Sequence, residues 1–204
     1  MSESILNPEL EARKEQWFVD LGAFIIEAGQ NGWAAEATRV ESPQRPGFKE
    51  LAYENGDWEY RDSYAGYYMA PGSSVVYYKD KPVWYMTYGG SGQAPEHYNK
   101  AKETYAFLRK ALMEPSPGLP IRGPAYYVEA VDKNTGEIRL DWSFAEESSV
   151  TKRQYSFRFE GDLGLAKWNE WISEDGLYTF QQRGDIGLII DKDQNRHSVL
   201  PWEQ

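Results

Sequence analysis

Residues 53–90, YENGDWEYRDSYAGYYMAPGSSVVYYKDKPVWYMTYGG, constrain the fold more than any other stretch. They hold the densest run of Trp and Tyr in the chain, punctuated by turn residues. Asn55-Gly56 tolerates positive φ at both central positions of a type I′ turn and predicts a tight hairpin. Phe48, Leu51 and Tyr53 suggest the strand before it. After it, Trp58, Tyr60, Asp62 and Tyr64 alternate with Glu59, Arg61 and Ser63, the period-two pattern of a strand with one buried face. Asp62 falls on the aromatic face, where an unpaired carboxylate is costly. A second hairpin follows: a strand at 74–78, a turn from Lys79 to Lys81 and a returning strand from Pro82 to Tyr88. Pro82 donates no ladder hydrogen bond and so suits the first strand position. Gly89, Gly90 and Gly92 are read as the end of that strand.

Helices are expected on either side. Asn7-Pro8-Glu9 supplies an N-cap, a proline at the first helical position and an acid in the first turn. Leu10, Trp17, Phe18, Leu21, Phe24, Ile25 and Ala28 then recur at helical spacing, predicting an amphipathic helix over about 8–28. Residues 29–47 read as a loop from which Trp33 folds back. Ala94-Pro95-Glu96 opens a second helix to about Met113, with Tyr98, Ala101, Tyr105, Leu108 and Leu112 on one face. Pro115, Pro117, Gly118 and Pro120 form a stiff connector.

Beyond it the chain reads as strands: 125–131 and 137–144 around a turn at 132–136, then 150–159, then a hairpin of 168–172 and 177–182 around Glu174-Asp175-Gly176, and a short buried strand at Leu188-Ile189-Ile190. The expected fold is α+β: a curved, mainly antiparallel sheet of hairpins with two amphipathic helices on one face. Residues 1–114 form one part and 121–204 a β-rich second part packed on it as one globular unit. A gapless alignment of 64–92 with 159–187 suggests a duplicated β-meander. Its identities are mostly glycines, so shared turn chemistry competes as the explanation.

Composition narrows the function classes. The formal net charge of −10 disfavours binding to a phosphate backbone or an anionic membrane. The absence of cysteine excludes disulfides, thiolate catalysis and zinc–thiolate sites. The polar first residues are no secretory signal, and no apolar run reaches spanning length, so a cytoplasmic location is the expectation.

The strings RPGFKELAYENGDWEYRDSYAG (45–66) and VVYYKDKPVWYMTYGG (75–90) resemble a bacterial family catalogued as a domain of unknown function, number 5680. Its pattern runs from an arginine-proline-glycine turn through a GDW-Y-DSY-G string to a VVYY–KPVW-M-Y-GG hairpin. The resemblance covers about residues 17–113. Members often sit behind a helix-turn-helix regulator domain; none is read in this sequence. The resemblance implies no activity, cofactor or catalytic residue.

No catalytic residue, metal ligand or cofactor is assigned. Glu54, Asp57 and Asp62 are the nearest approach to a carboxylate cluster; paired carboxylates among aromatic platforms suit glycoside hydrolysis, whereas acids flanking a turn usually only cap it. Asp62 reads first as a buried acid satisfied by an arginine, a tyrosine hydroxyl or backbone amides. His97 follows the glycine-rich run 89–92 at a helix start, a place that receives anions, but no GxGxxG or Walker pattern accompanies it. The candidate ligand-binding set is Trp58, Tyr60, Asp62, Tyr64, Tyr77, Trp84, Tyr88 and His97. The stripes Trp58/Tyr60/Tyr64 and Trp84/Met86/Tyr88 read first as core; Tyr77, Val83 and Tyr85 share the other face of the second hairpin, which lines a pocket or partner groove if it is exposed, and which face is buried is left open. The favoured function is a non-enzymatic module with an aromatic-lined pocket, binding a small molecule or a protein. A hydrolase with paired carboxylates and a homodimeric structural subunit are the alternatives.

Overall fold

The computed structural model describes residues 7–92, 98–114, 121–135, 137–139 and 149–203. Helix α1 spans Pro8–Asn31, three residues beyond the expected end. Asn7 caps it, its side chain accepting from Glu9 N at 3.1 Å. Trp17, Leu21, Phe24, Ile25 and Ala28 form its buried face, as their spacing requires. Phe24 stacks on Trp58 at 5.5 Å between ring centroids, and Trp202 closes over Trp17 at 5.8 Å.

Four strands follow as two hairpins: β1 (Lys49–Asn55), β2 (Trp58–Tyr64), β3 (Gly72–Tyr78) and β4 (Lys81–Ser91). The first turn is Gly56-Asp57, since Asn55 pairs with Trp58. Only Gly56 has positive φ there, the type II′ pattern rather than the expected type I′. The second turn, Lys79-Asp80, has positive φ at both residues, as a type I′ turn requires. Strand β4 runs through Gly89 and Gly90 instead of stopping at them. A Cβ on Gly90 would lie 2.0 Å from the Gln181 carbonyl oxygen, so that glycine permits close strand pairing rather than ending the strand.

Helix α2 spans Tyr98–Met113 and buries Ala101, Thr104, Phe107, Leu108, Ala111 and Leu112. Tyr98, placed on the buried face from spacing, is 54% exposed, and Phe107 takes the inward position. The expected helix start at 94–96 lies outside the described residues, as do the connector at 115–120 and most of the expected strand at 137–144.

The second part supplies β5 (Tyr126–Asp132), β6 (Ile138–Arg139), β7 (Val150–Asp162), β8 (Leu165–Glu174) and β9 (Leu177–Leu188). Two-residue strands β10 (Asp191–Lys192) and β11 (Ser198–Val199) and a 3-10 turn at Pro201–Glu203 end the chain. The expected strand at 188–190 does not form: β9 stops at Leu188, and Ile190 is exposed where the chain turns away.

All neighbouring strands of the main sheet pair antiparallel, in the order β1-β2-β3-β4-β9-β8-β7-β5-β6. The sheet is open, with β1 and β6 at its edges among the described residues. A helix and the meander β1 to β4 run in from one edge; a helix, β5, β7, β8 and β9 run in from the other. They meet where Tyr88 pairs with Gly184. The hairpins β3–β4 and β8–β9 correspond in detail. Each has a register shift two residues before its strand ends, between Val76 and Tyr77 and between Ile172 and Ser173. Each has a two-residue turn, Lys79-Asp80 against Asp175-Gly176. The displacement between these turns is 96 residues (79 to 175, 80 to 176). The gapless alignment read from the sequence is displaced by 95, which fits β2 against β7, where Tyr60 and Tyr155 pair with Val76 and Ile172, but is one residue out from the β3–β4 turn onward, so Asp80, Gly89 and Gly92 do not correspond to Asp175, Gly184 and Gly187. The two hairpins correspond in strand order, turn length and register shift.

Candidate ligand site

Cross-strand neighbours share a sheet face. The registers therefore put Tyr60, Asp62 and Tyr64 of β2 beside Gly72, Ser74 and Val76 of β3 and Trp84, Met86 and Tyr88 of β4. The same face continues through Gln182 and Ile186 of β9 to Trp168 and Glu170 of β8 and Tyr155 of β7. A cavity of about 200 Å³ lies against it. Tyr60, Asp62, Ser74, Tyr88 and Gln182 line it from the sheet, Ile25 and Ala28 from α1, and Tyr105 and Leu108 from α2. Trp33, Tyr67 and Ile121 line it from connecting segments.

One wall is polar. Asp62 is 8% exposed and accepts from Tyr88 OH at 2.7 Å and Ser74 Oγ at 2.9 Å, both on Oδ1. Tyr60 OH donates to Ser74 Oγ at 2.8 Å. Tyr88 reaches Asp62 across Gly72: a Cβ there would lie 2.4 Å from the Tyr88 hydroxyl. Burial pushes the Asp62 carboxyl above its ordinary value, against the opposing pull of Tyr88, Ser74 and Arg122. Burial also raises the Tyr60 and Tyr88 hydroxyls, and the Asp62 charge adds to both. These phenols stay protonated donors throughout the physiological range.

A second buried cluster adjoins the first. Glu170 is fully buried and accepts from Arg122 Nε at 2.8 Å and Tyr155 OH at 3.0 Å, both on Oε2. Its Oε1 has no hydrogen-bond partner. Arg122 lines the cavity and packs 5.7 Å over the Trp168 ring. Burial lowers the affinity of Arg122 for its proton, but the Glu170 charge more than restores it. Farther out, Tyr105 donates to the Tyr67 carbonyl at 2.7 Å; burial and the neighbouring Tyr67 and Tyr68 push its hydroxyl up to about 12. Arg109 stacks on Trp33 at 4.7 Å and pairs with Glu36 at 2.5 Å.

Of the candidate residues, the fold brings Tyr60, Asp62, Tyr64 and Tyr88 to the cavity. Trp58 instead packs between Trp17, Phe24 and Tyr78. Trp84 is fully buried and donates to the Leu163 carbonyl at 3.1 Å. Tyr77 pairs opposite Glu59, on the other side of the sheet from Val76. Val83, on the face left open in sequence, is buried in the core, and its carbonyl accepts from Ile189 N at 2.8 Å. Tyr85 is exposed. Glu54 and Asp57 are exposed at the β1–β2 turn, away from the cavity lining. His97 lies outside the described residues. Arg122, Tyr105, Phe180 and Gln182 were not legible as lining residues. They are distant in sequence and carry no motif; only the pairing of β4 with β9 and the docking of α2 bring them in.

Among the described residues no cluster of His, Asp and Glu could hold a metal ion, and no helix is long and apolar enough to cross a membrane. Residues 62–161 match the model of a family described as a domain of unknown function (DUF5680), so the expected resemblance is shown over that segment. The segment starts later and ends later than the 17–113 read from motif strings. It takes in Asp62, Tyr64, Tyr88, Arg122 and Tyr155, but not Tyr60, Glu170 or Gln182. No curated protein and no solved structure matches the chain.

Proposed function

We propose that this protein binds a small molecule in the cavity between its sheet and its helices, without turning it over. One observation carries the reading: in a cavity also lined by Ile25, Leu108, Ile121, Trp33 and Phe180, the side chains of Tyr60, Ser74, Asp62 and Tyr88 form a polar wall, with Asp62 buried. A core built only for stability gains nothing from a buried carboxylate that apolar side chains of similar size could replace. A few placed polar groups in an apolar concavity are what orient a bound molecule. In this reading both helices cover one concave face of the sheet, as the shared lining by Ala28 and Leu108 supports.

The hydrolase alternative loses its second carboxylate. Glu54 and Asp57 are exposed at a turn, and Glu170 is held by Arg122 and Tyr155.

The test is a thermal-shift and tryptophan-fluorescence screen against sugars, nucleotides and small metabolites, on wild type and on Asp62→Asn. A compound that raises the wild-type melting temperature and leaves the variant unmoved supports the reading. Compounds that shift both equally, or a screen that shifts neither, with a variant that simply melts lower, make Asp62 structural and count against it.

A further inference from the structure

The chain carries 32 acidic and 22 basic residues, yet its cavity has the opposite balance. Five basic residues line it, Arg39, Lys49, Lys102, Arg109 and Arg122, against one acid, Asp62. Two of the five are neutralised, Arg109 by Glu36 and Arg122 by Glu170. No ion pair neutralises Arg39, Lys49 or Lys102 among the described residues. Lys49 Nζ donates to the Gly66 carbonyl at 2.8 Å and lies 5.5 Å from the Tyr64 ring, which leaves its charge uncompensated. Burial, and then the charge of Arg39, weaken the hold of Lys49 on its proton. Arg39 is exposed and Lys49 half-buried, so solvent screens their repulsion only in part, and their two positive charges on one side of the cavity favour an anion there.

We infer that the bound molecule is an anion: an amphipathic small molecule whose carboxylate, phosphate or sulfonate group sits against Arg39 and Lys49. Its ring or apolar body lies along Trp33, Tyr105 and Phe180, and a hydroxyl or amine reaches Asp62 at the inner end. The inference rests on the ligand-binding reading above. It explains how an acidic protein admits an acidic ligand: charge at the mouth attracts the molecule locally, whatever the sign of the whole surface.

The test uses two fluorescent probes that share one skeleton. 8-Anilinonaphthalene-1-sulfonate carries a sulfonate; N-phenyl-1-naphthylamine lacks it. Both are titrated into the full chain, into Arg39→Gln/Lys49→Gln, and into Ala70→Trp, which crowds the cavity from the partly exposed β2–β3 loop. The expected result is tighter binding of the sulfonate probe by about tenfold, lost in the double charge variant while the neutral probe is unaffected, with both probes lost in Ala70→Trp. Equal affinities for the two probes, or a sulfonate affinity unmoved by the charge variant, overturn the anionic class and leave the cavity reading standing. Failure of both probes to bind, or binding that Ala70→Trp leaves intact, overturns both. Far-UV circular dichroism and Tm establish that each variant is folded; Arg39→Gln alone, at an exposed position, replaces the double variant if that one is not.

Discussion

Tyr60 and Tyr155 do the same thing in the two halves of the sheet. Tyr60 pairs with Val76 and donates to Ser74; Tyr155 pairs with Ile172 and donates to Glu170. The acceptors, like the paired residues, are displaced by 96 positions (74 to 170, 76 to 172). A tyrosine reaching diagonally to the next strand thus occurs in both halves of the sheet. The acceptor differs: a hydroxyl that passes the bond on to Asp62 in one half, a carboxylate held by Arg122 in the other.

That difference orders two substitutions. Tyr155→Phe removes a bond to a fully buried carboxylate whose other oxygen already has no partner, and is expected to cost about 2–3 kcal/mol. Tyr60→Phe leaves Ser74 still bonded to Asp62 and is expected to cost about 1 kcal/mol. Urea unfolding followed by tryptophan fluorescence reads both midpoints. The opposite order would show that Glu170 does not depend on Tyr155.

Arg122→Met leaves Glu170 buried with only Tyr155 as donor. Breaking a buried pair on one side typically costs about 3–5 kcal/mol. The lower end is expected here, since the Arg122 side chain is 21% exposed. Glu170→Gln is expected to cost less, and the double variant less than the sum of the singles, because the two side chains act as one unit. Additivity in a denaturant double-mutant cycle would contradict the pairing.

Gly72→Ala tests the reach of Tyr88. A methyl group there occupies the path of the hydroxyl to Asp62, so the bond is lost and Tyr88 is displaced into the cavity. The expected result is a destabilisation of about 1–3 kcal/mol, with weaker binding of every cavity ligand. A variant of wild-type stability whose Tyr88 ring keeps its contacts by NMR would refute it.

Asp62 makes stability depend on pH with a definite sign. Its folded-state carboxyl titrates above the ordinary 3.8, chiefly through burial. As pH rises past 3.8, the unfolded chain releases this proton first, while the folded chain still holds it. The residue's contribution to stability therefore falls until the folded-state value is passed, and stays low above it. Asp62→Asn has no such titration. Its melting temperature relative to wild type is expected to become more favourable from about pH 3.5 to pH 7. A relative Tm that becomes less favourable over that range would mean the carboxyl is held below its ordinary value instead.

Local chemistry made much of the fold legible. The cap at Asn7, the spacing of Trp17 to Ala28, the positions of the two hairpin turns and the alternation of Trp58 to Tyr64 each depend on neighbours within a few residues, where pattern and propensity act directly. Errors arose where a distant strand intervened. Gly89 and Gly90 read as a stop because β9 is not visible from β4. The buried face of the second hairpin stayed open because what packs on Val83 is distant in sequence. The alignment of the two halves is in register over β2 and β7 and one residue out from the next turn onward, since strand order and bulges leave no fixed signature in sequence.

By itself the sequence determined the class: two amphipathic helices, antiparallel hairpins, no thiol chemistry, and an acid set among aromatic side chains. It did so because hydrogen-bonding period, turn geometry and side-chain chemistry are properties of short segments. Only the tertiary structure decided the site. The meeting of β4 and β9 at Tyr88 and Gly184 joined two meanders into one sheet. It brought Arg122 and Gln182 to the cavity of Asp62, and Glu170 beside Arg122. It also sent Trp58 and Trp84 into the core. Which aromatic side chains fill a core and which line a cavity is set by what packs opposite them, and that is a property of the closed fold rather than of any strand within it.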